Sequence, residues 1–161
     1  MLPRTSSLSL CAVALLLGCT EPGPPTPPSA GDAAPPGADI ARVDISALQA
    51  TFAAGERTVE SVVEALVARI ATLDATYRAV IAVADDAREQ AAALDARAEP
   101  RGPLHGVPVL LKDNIETERL PTTAGSLALA GYVSGRDAPL VARLREAGAV
   151  ILGKANLSEW A

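Results

Sequence analysis

An α/β fold is what this sequence predicts for residues 44–161, on two observations. Short apolar runs at 79–84, 107–112 and 149–152 carry the Val, Ile and Leu content of strands, and stretches of helical periodicity lie between them. Strands interleaved with helices are the pattern of packed α/β layers. No internal repeat is visible, and about 120 residues are enough for one modest core.

The elements follow in order. Residues 44–54 read as a short helix ended by Gly55. Thr58 is placed to cap the next helix, in which Val59, Val62, Val63, Leu66, Val67, Ile70 and Leu73 fall on one face. The run 79–84 is a strand. Helix returns over 85–98, with Ala91, Leu94 and Ala98 roughly aligned, and the Pro-Arg-Gly-Pro turn at 100–103 stops it. Residues 107–112 are apolar on both alternating faces, as expected of a strand buried on both sides, with Pro108 at its beginning where a lost donor is tolerated. Residues 113–136 lack periodicity and are rich in Thr, Gly and Ser, a long loop of the kind that serves a site. Asp137 is expected to cap a helix with Pro139 in its first turn and Gly148 at its end. A strand over 149–152 closes the series.

The first 39 residues do not look like material for a core. Arg4 precedes the apolar run 8–17, which at about ten residues is too short to span a bilayer of about 30 Å and fits the apolar region of a secretory signal. Leu16-Leu17-Gly18-Cys19 resembles a bacterial lipobox, with an aliphatic residue three before the cysteine and a small one just before it. Residues 1–18 are therefore expected to be a lipoprotein signal peptide and Cys19 the lipidated first residue of the mature chain. Two or three acyl chains at one point give stable anchoring, which implies a bacterial envelope protein on the periplasmic or extracellular face of a membrane. An ordinary signal peptide with an incidental cysteine is the alternative. Cys11 fits less well, because Leu10 precedes it and the apolar run continues beyond it. Residues 19–43 form the linker. Seven of residues 20–39 are proline, so this stretch should be a semi-extended spacer reaching up to about 60 Å at about 3.1 Å per residue. A proline-rich ligand for a partner domain is the other reading.

Composition excludes several functions. The net charge is −5 and no basic stripe is present, so nucleic acid is a poor partner, because its phosphates demand clustered Lys and Arg. Phe52, Tyr77, Tyr132 and Trp160 are the only aromatics, too few for a stacking platform. Cys11 and Cys19 are the only thiols, which rules out a disulfide framework, a Cys-based zinc site and a cysteine nucleophile in the folded part. His105 is the single histidine. A His-rich metal site is excluded, and a Ser–His–Asp triad would have to use His105.

Lys112 is the informative residue. Strand alternation puts it on the face of Leu110, with Val109 and Leu111 on the other. A lysine there either reaches past the strand end into solvent or is buried, and burial would lower its pKa until the neutral amine accepts protons near neutral pH. Its surroundings decide between a solvated strand end and chemistry. Residues 102–115, Gly-Pro-Leu-His-Gly-Val-Pro-Val-Leu-Leu-Lys-Asp-Asn-Ile, are similar to the lysine segment of the amidase signature family. Thr122-Thr123-Ala124-Gly125-Ser126 and the run from Asp137 to Trp160 resemble the same family in order and spacing. The resemblance is dense over 102–161 and weaker over 44–98. The ending Asn156-Leu157-Ser158-Glu159-Trp160-Ala161 is closer to the amidase and peptide-amidase branch than to the tRNA-amidotransferase branch.

The resemblance implies the N-terminal portion of an α/β/α fold with a mixed central sheet. It also implies hydrolysis of carboxamides by a serine nucleophile, a second serine whose peptide bond is cis, and a lysine. Lys112 matches that lysine, which takes a proton from the bridging serine and so activates the nucleophile, while backbone donors of a glycine-rich loop hold the oxyanion. No metal or organic cofactor is implied. Both serines belong to a glycine- and serine-rich segment expected beyond Ala161, so this chain is expected to be an incomplete, inactive portion of the amidase domain.

The remaining polar residues read as structural. Ser126, Ser134 and Ser158 lack the glycine-rich context of a nucleophile, and Ser126 is expected to shape the loop. His105 reads as a turn or packing residue, and Lys154 as a structural lysine. Asp113 and Asn114 are placed to hydrogen-bond the loop, and Glu60, Glu64, Arg69 and Glu89 are solvated faces. An amide hydrolase that continues past residue 161 is the leading reading. A lipid-anchored binding or structural protein without catalysis is the alternative.

Overall fold

A computed structural model describes Gly37 and residues 39–161. The expected signal peptide, Cys19 and most of the proline-rich stretch lie outside the described residues. The elements run α1 (Ile45–Ala53), α2 (Val59–Tyr77), β1 (Val80–Val83), α3 (Ala87–Asp95), β2 (Pro108–Lys112), the 3-10 turn η1 (Leu127–Leu129), α4 (Pro139–Glu146) and β3 (Val150–Ala155). Among the described residues no helix is long and apolar enough to cross a membrane.

Caps set the helix starts. The Asp44 side chain accepts from the Ala47 N–H at 2.7 Å. Thr58 and Ser61 form a reciprocal capping box at α2. Two further free N–H groups of α2, on Val59 and Glu60, donate to the Asp95 carboxylate at 2.8 and 2.9 Å, which ties the end of α3 to the start of α2. Helix α3 stops at Asp95, short of the turn at 100–103, and Ala98 is exposed rather than aligned in the core. Asp137 does not cap α4. Ala138 holds that position, and the Asp137 carboxylate instead accepts from the Glu118 N–H at 2.9 Å and from Arg145 Nε at 2.8 Å. Arg143 and Arg145 in the last turn of α4 complement its C-terminal dipole.

Strand β3 is the centre of a three-stranded sheet ordered β1-β3-β2. It pairs antiparallel with β1 and parallel with β2, so the sheet is mixed, and with helices packed on it the fold is α/β as the sequence predicts. Strand β3 runs past Leu152 to Ala155, longer than its apolar run. In its pairing with β2 the register skips Leu152, going from Val109–Ile151 to Leu110–Gly153 and then Leu111–Lys154. That bulge breaks the alternation. Without it Lys154 would share a face with Val150 and Leu152, and with it Lys154 shares the face of Leu111 and Ile151. Gly153 permits the crossing, because a Cβ there would lie 2.2 Å from the Ala82 carbonyl oxygen of β1.

The two faces are covered by different helices. Val59, Val63, Ala87, Ala91 and Leu94 of α2 and α3 pack on Val150 and Leu152, and Val141 of α4 packs on Leu111 and Ile151. Gln90 links the layers, since its Oε1 accepts from the Ile151 N–H at 3.1 Å and from Arg145 Nη1 at 2.9 Å. Ile40, within the expected linker, is buried against Leu48 and Val62. The expectation that 107–112 is buried on both faces is corrected. Leu111 is buried, but Leu110 is 40% exposed and Lys112 is exposed, because α2 and α3 lie over β1 and β3 and leave that face of β2 open. Glu60, Glu64 and Glu89 are exposed as expected, whereas Arg69 is half-buried and its Nη1 is enclosed without a hydrogen-bond partner among the described residues.

Candidate active site

The chemistry gathers where β2 and β3 end side by side. Lys112 pairs with Ala155 and Leu111 with Lys154, so two lysines stand one residue apart at neighbouring strand ends on opposite faces of the sheet. Their surroundings differ completely. Lys112 is exposed on the open face. Lys154 is fully buried, with 0% exposure, under the loop that follows β2.

An ammonium in that setting must be paired, since an isolated buried charge is costly. Its Nζ lies 3.1 Å from Asp113 Oδ1 and donates to the Pro121 carbonyl at 2.9 Å and to Thr122 Oγ1 at 3.0 Å. Asp113 is itself only 1% exposed. Its Oδ2 accepts from the Thr123 N–H at 3.1 Å and from the Thr123 hydroxyl. Oδ1 has no other partner among the described residues, so it depends on Lys154 alone. Burial draws the pKa of Lys154 below its ordinary value, and the hydrogen bond and charge of Asp113 act in the opposite direction.

The backbone is tied as firmly. The Asp113 N–H donates to the Ala155 carbonyl and its own carbonyl accepts from Ala124, both at 3.1 Å. The loop then folds back on the chain after β3. Ser126 Oγ donates to Glu159 Oε1 at 2.6 Å, and the Trp160 N–H donates to the Ala124 carbonyl at 2.8 Å. Gly125 has a φ of +70° and sits so close that a Cβ would lie 2.8 Å from the Leu157 carbonyl oxygen. Asn114 Nδ2 reaches the Ala161 carbonyl at 3.1 Å.

The expectations for the polar residues meet this geometry unevenly. Ser126 shapes the loop and Asp113 hydrogen-bonds it as expected, whereas the Asn114 side chain reaches Ala161 instead of the loop. His105 closes a turn, its Nδ1 accepting from the Arg101 N–H at 3.0 Å. Ser134 donates to the Arg136 carbonyl at 2.9 Å. The sequence reading missed the pairing of Lys154 with Asp113. The residue types alone gave no sign of it, because the bulge that turns Lys154 to this face is invisible in a two-residue period. The larger cleft of about 470 Å³ is lined by Phe52, Arg57, Asp95, Leu94 and His105, and none of its lining comes from residues 107–161. A smaller cleft of about 290 Å³ opens beside Asp113 between Ile81, Pro121, Thr123 and Leu127. Lys112 lines neither cleft.

Comparison with known proteins gives the following. The family model described as Amidase matches residues 61–161. One component of the glutamyl-tRNA(Gln) amidotransferase from Thermobifida fusca strain YX is 45% identical over 127 residues, covering 76% of this chain and 26% of that protein. The native peptide amidase of Stenotrophomonas maltophilia, solved by X-ray crystallography, is 51% identical with a TM-score of 0.72, over 75% of this chain and 26% of that one. An amidase family protein from Bacillus anthracis strain Ames is 33% identical with a TM-score of 0.73, over 76% of this chain and 26% of that one. The chain thus spans about a quarter of the length of the relatives it matches.

Proposed function

This chain belongs to the amidase family, and from that premise we propose that the full-length protein hydrolyses a carboxamide to a carboxylate and ammonia or an amine. Lys112 is the lysine of a Ser–cis-Ser–Lys triad, and both serines are supplied by sequence outside these 161 residues. The setting of Lys112 carries the reading. An exposed lysine stands on the open face of β2 while its neighbour Asp113 is held through backbone and side chain alike. Leu110, on the same face and 40% exposed, offers an apolar surface for the serine-bearing part of the fold to cover. That covering would enclose Lys112 beside the bridging serine whose proton it accepts. The 51% identity to a peptide amidase supports a C-terminal peptide amide or another linear amide as substrate. Purified full-length protein should release ammonia from such amides, whereas residues 40–161 alone should release none above a buffer control. Turnover by the short form that survives purification would show that the nucleophile had been misplaced.

The same proposal includes the address. Cys19 is lipidated and the mature chain begins there, tethered to a bacterial membrane by the proline-rich stretch. This rests on the lipobox-like Leu16-Leu17-Gly18-Cys19 after an apolar run. In a bacterial host the Cys19→Ser variant should lose radiolabelled lipid and leave the membrane fraction. Unchanged labelling and membrane association would contradict the tether.

A further inference from the structure

Lys154 and Asp113 take no part in the proposed proton transfer, yet they are among the most completely buried polar side chains in the described fold. A pair of charges withdrawn from water contributes little stability by itself, because desolvation offsets most of the attraction. What it does supply is geometry. The Lys154 ammonium holds Pro121 and Thr122 on one side and Asp113 on the other. The Asp113 carboxylate holds Thr123. Together they sew the loop 121–124 to the ends of β2 and β3, directly after Lys112. The bulge at Leu152 is what brings Lys154 to this face, so backbone irregularity and buried charge serve one arrangement.

We infer that the Lys154–Asp113 pair is a positioning device, which fixes the backbone from which Lys112 reaches the bridging serine. The inference rests on the reading of Lys112 as the triad lysine. Neither residue is catalytic in itself, since both face away from Lys112 across the sheet. A displaced base slows the proton-transfer step while leaving contacts with the substrate intact, so the effect should fall on kcat rather than on KM.

The full-length double variant Asp113→Asn/Lys154→Met removes both charges at nearly constant volume, an exchange that buried pairs often tolerate. Its thermal midpoint should stay near that of the parent, while kcat drops by about 10-fold or more and KM remains within about threefold. Thr123→Val is the second variant. It leaves the ion pair and the Thr123 N–H contact in place and removes the hydroxyl, which donates to Asp113 and accepts from the Gly125 N–H at 3.2 Å, and it should lower kcat several-fold at constant KM. A kcat within about twofold of the parent in the double variant, or in Thr123→Val should the double variant not fold, would overturn the positioning role. Lys112→Ala is measured alongside. If it is inactive while the double variant is fully active, only the positioning inference fails. If Lys112→Ala retains full activity, the catalytic reading fails and takes this inference with it.

Discussion

Lys154→Met in the full-length protein should lower unfolding stability by about 3–5 kcal/mol, the usual cost of removing one partner from a buried ion pair. The cause is Asp113. Its Oδ1 has Lys154 as its sole partner among the described residues, and at 1% exposure it has no route to water without local opening. Asp113 must then ionise unpaired, take up a proton or pull the loop open, and each route is costly. Methionine fills most of the space, so the loss should not be confused with a large cavity. Urea denaturation of the variant and parent measures it. A loss below about 1 kcal/mol, the range of ordinary substitutions, would mean that the carboxylate finds other donors and that the pair does not anchor the loop.

Lys112→Ala should behave in the opposite way. The residue holds no side-chain hydrogen bond among the described residues, so its removal leaves no partner there unpaired and stability should change little. Activity of the full-length protein should fall by at least about 10²-fold in kcat, as expected for loss of a positioned proton acceptor. The two lysines therefore separate by stability: Lys154→Met leaves a buried carboxylate without its partner, whereas Lys112→Ala leaves the fold standing and removes the proton acceptor. A Lys112→Ala enzyme that keeps its kcat would remove this lysine from the mechanism.

Most of the architecture was legible in the sequence because local signals and burial agreed. Thr58 caps α2, Gly148 follows α4 with a φ of +94°, and the apolar residues Val59, Val62 and Val63 are buried as their spacing predicts. Disagreement arose where tertiary contacts override local pattern. Asp137 looks like a cap, but its carboxylate is engaged by Glu118 and Arg145 from opposite sides of the chain. The all-apolar run at 107–112 suggests burial on both faces, yet alternation alone does not say how far the helices cover β2, and Leu110 stays 40% exposed. For the site, the sequence singled out Lys112 through its segment, and the loop roles of Asp113 and Ser126 followed from their chemistry. The burial of Lys154 was hidden because a bulge, invisible in a simple two-residue period, turns it toward the core.

The charge of Lys112 and its ability to yield a proton are separated by one substitution, Lys112→Arg. Arginine keeps the positive charge and much of the reach, but its guanidinium does not release a proton in the working range. The measurement is kcat/KM of the full-length Lys112→Arg variant on a linear amide, beside the parent and Lys112→Ala. A proton-accepting lysine predicts that arginine fares nearly as badly as alanine, at least about 10²-fold below the parent. Near-parental kcat/KM for Lys112→Arg would contradict it and make Lys112 a fixed charge that binds or orients the substrate.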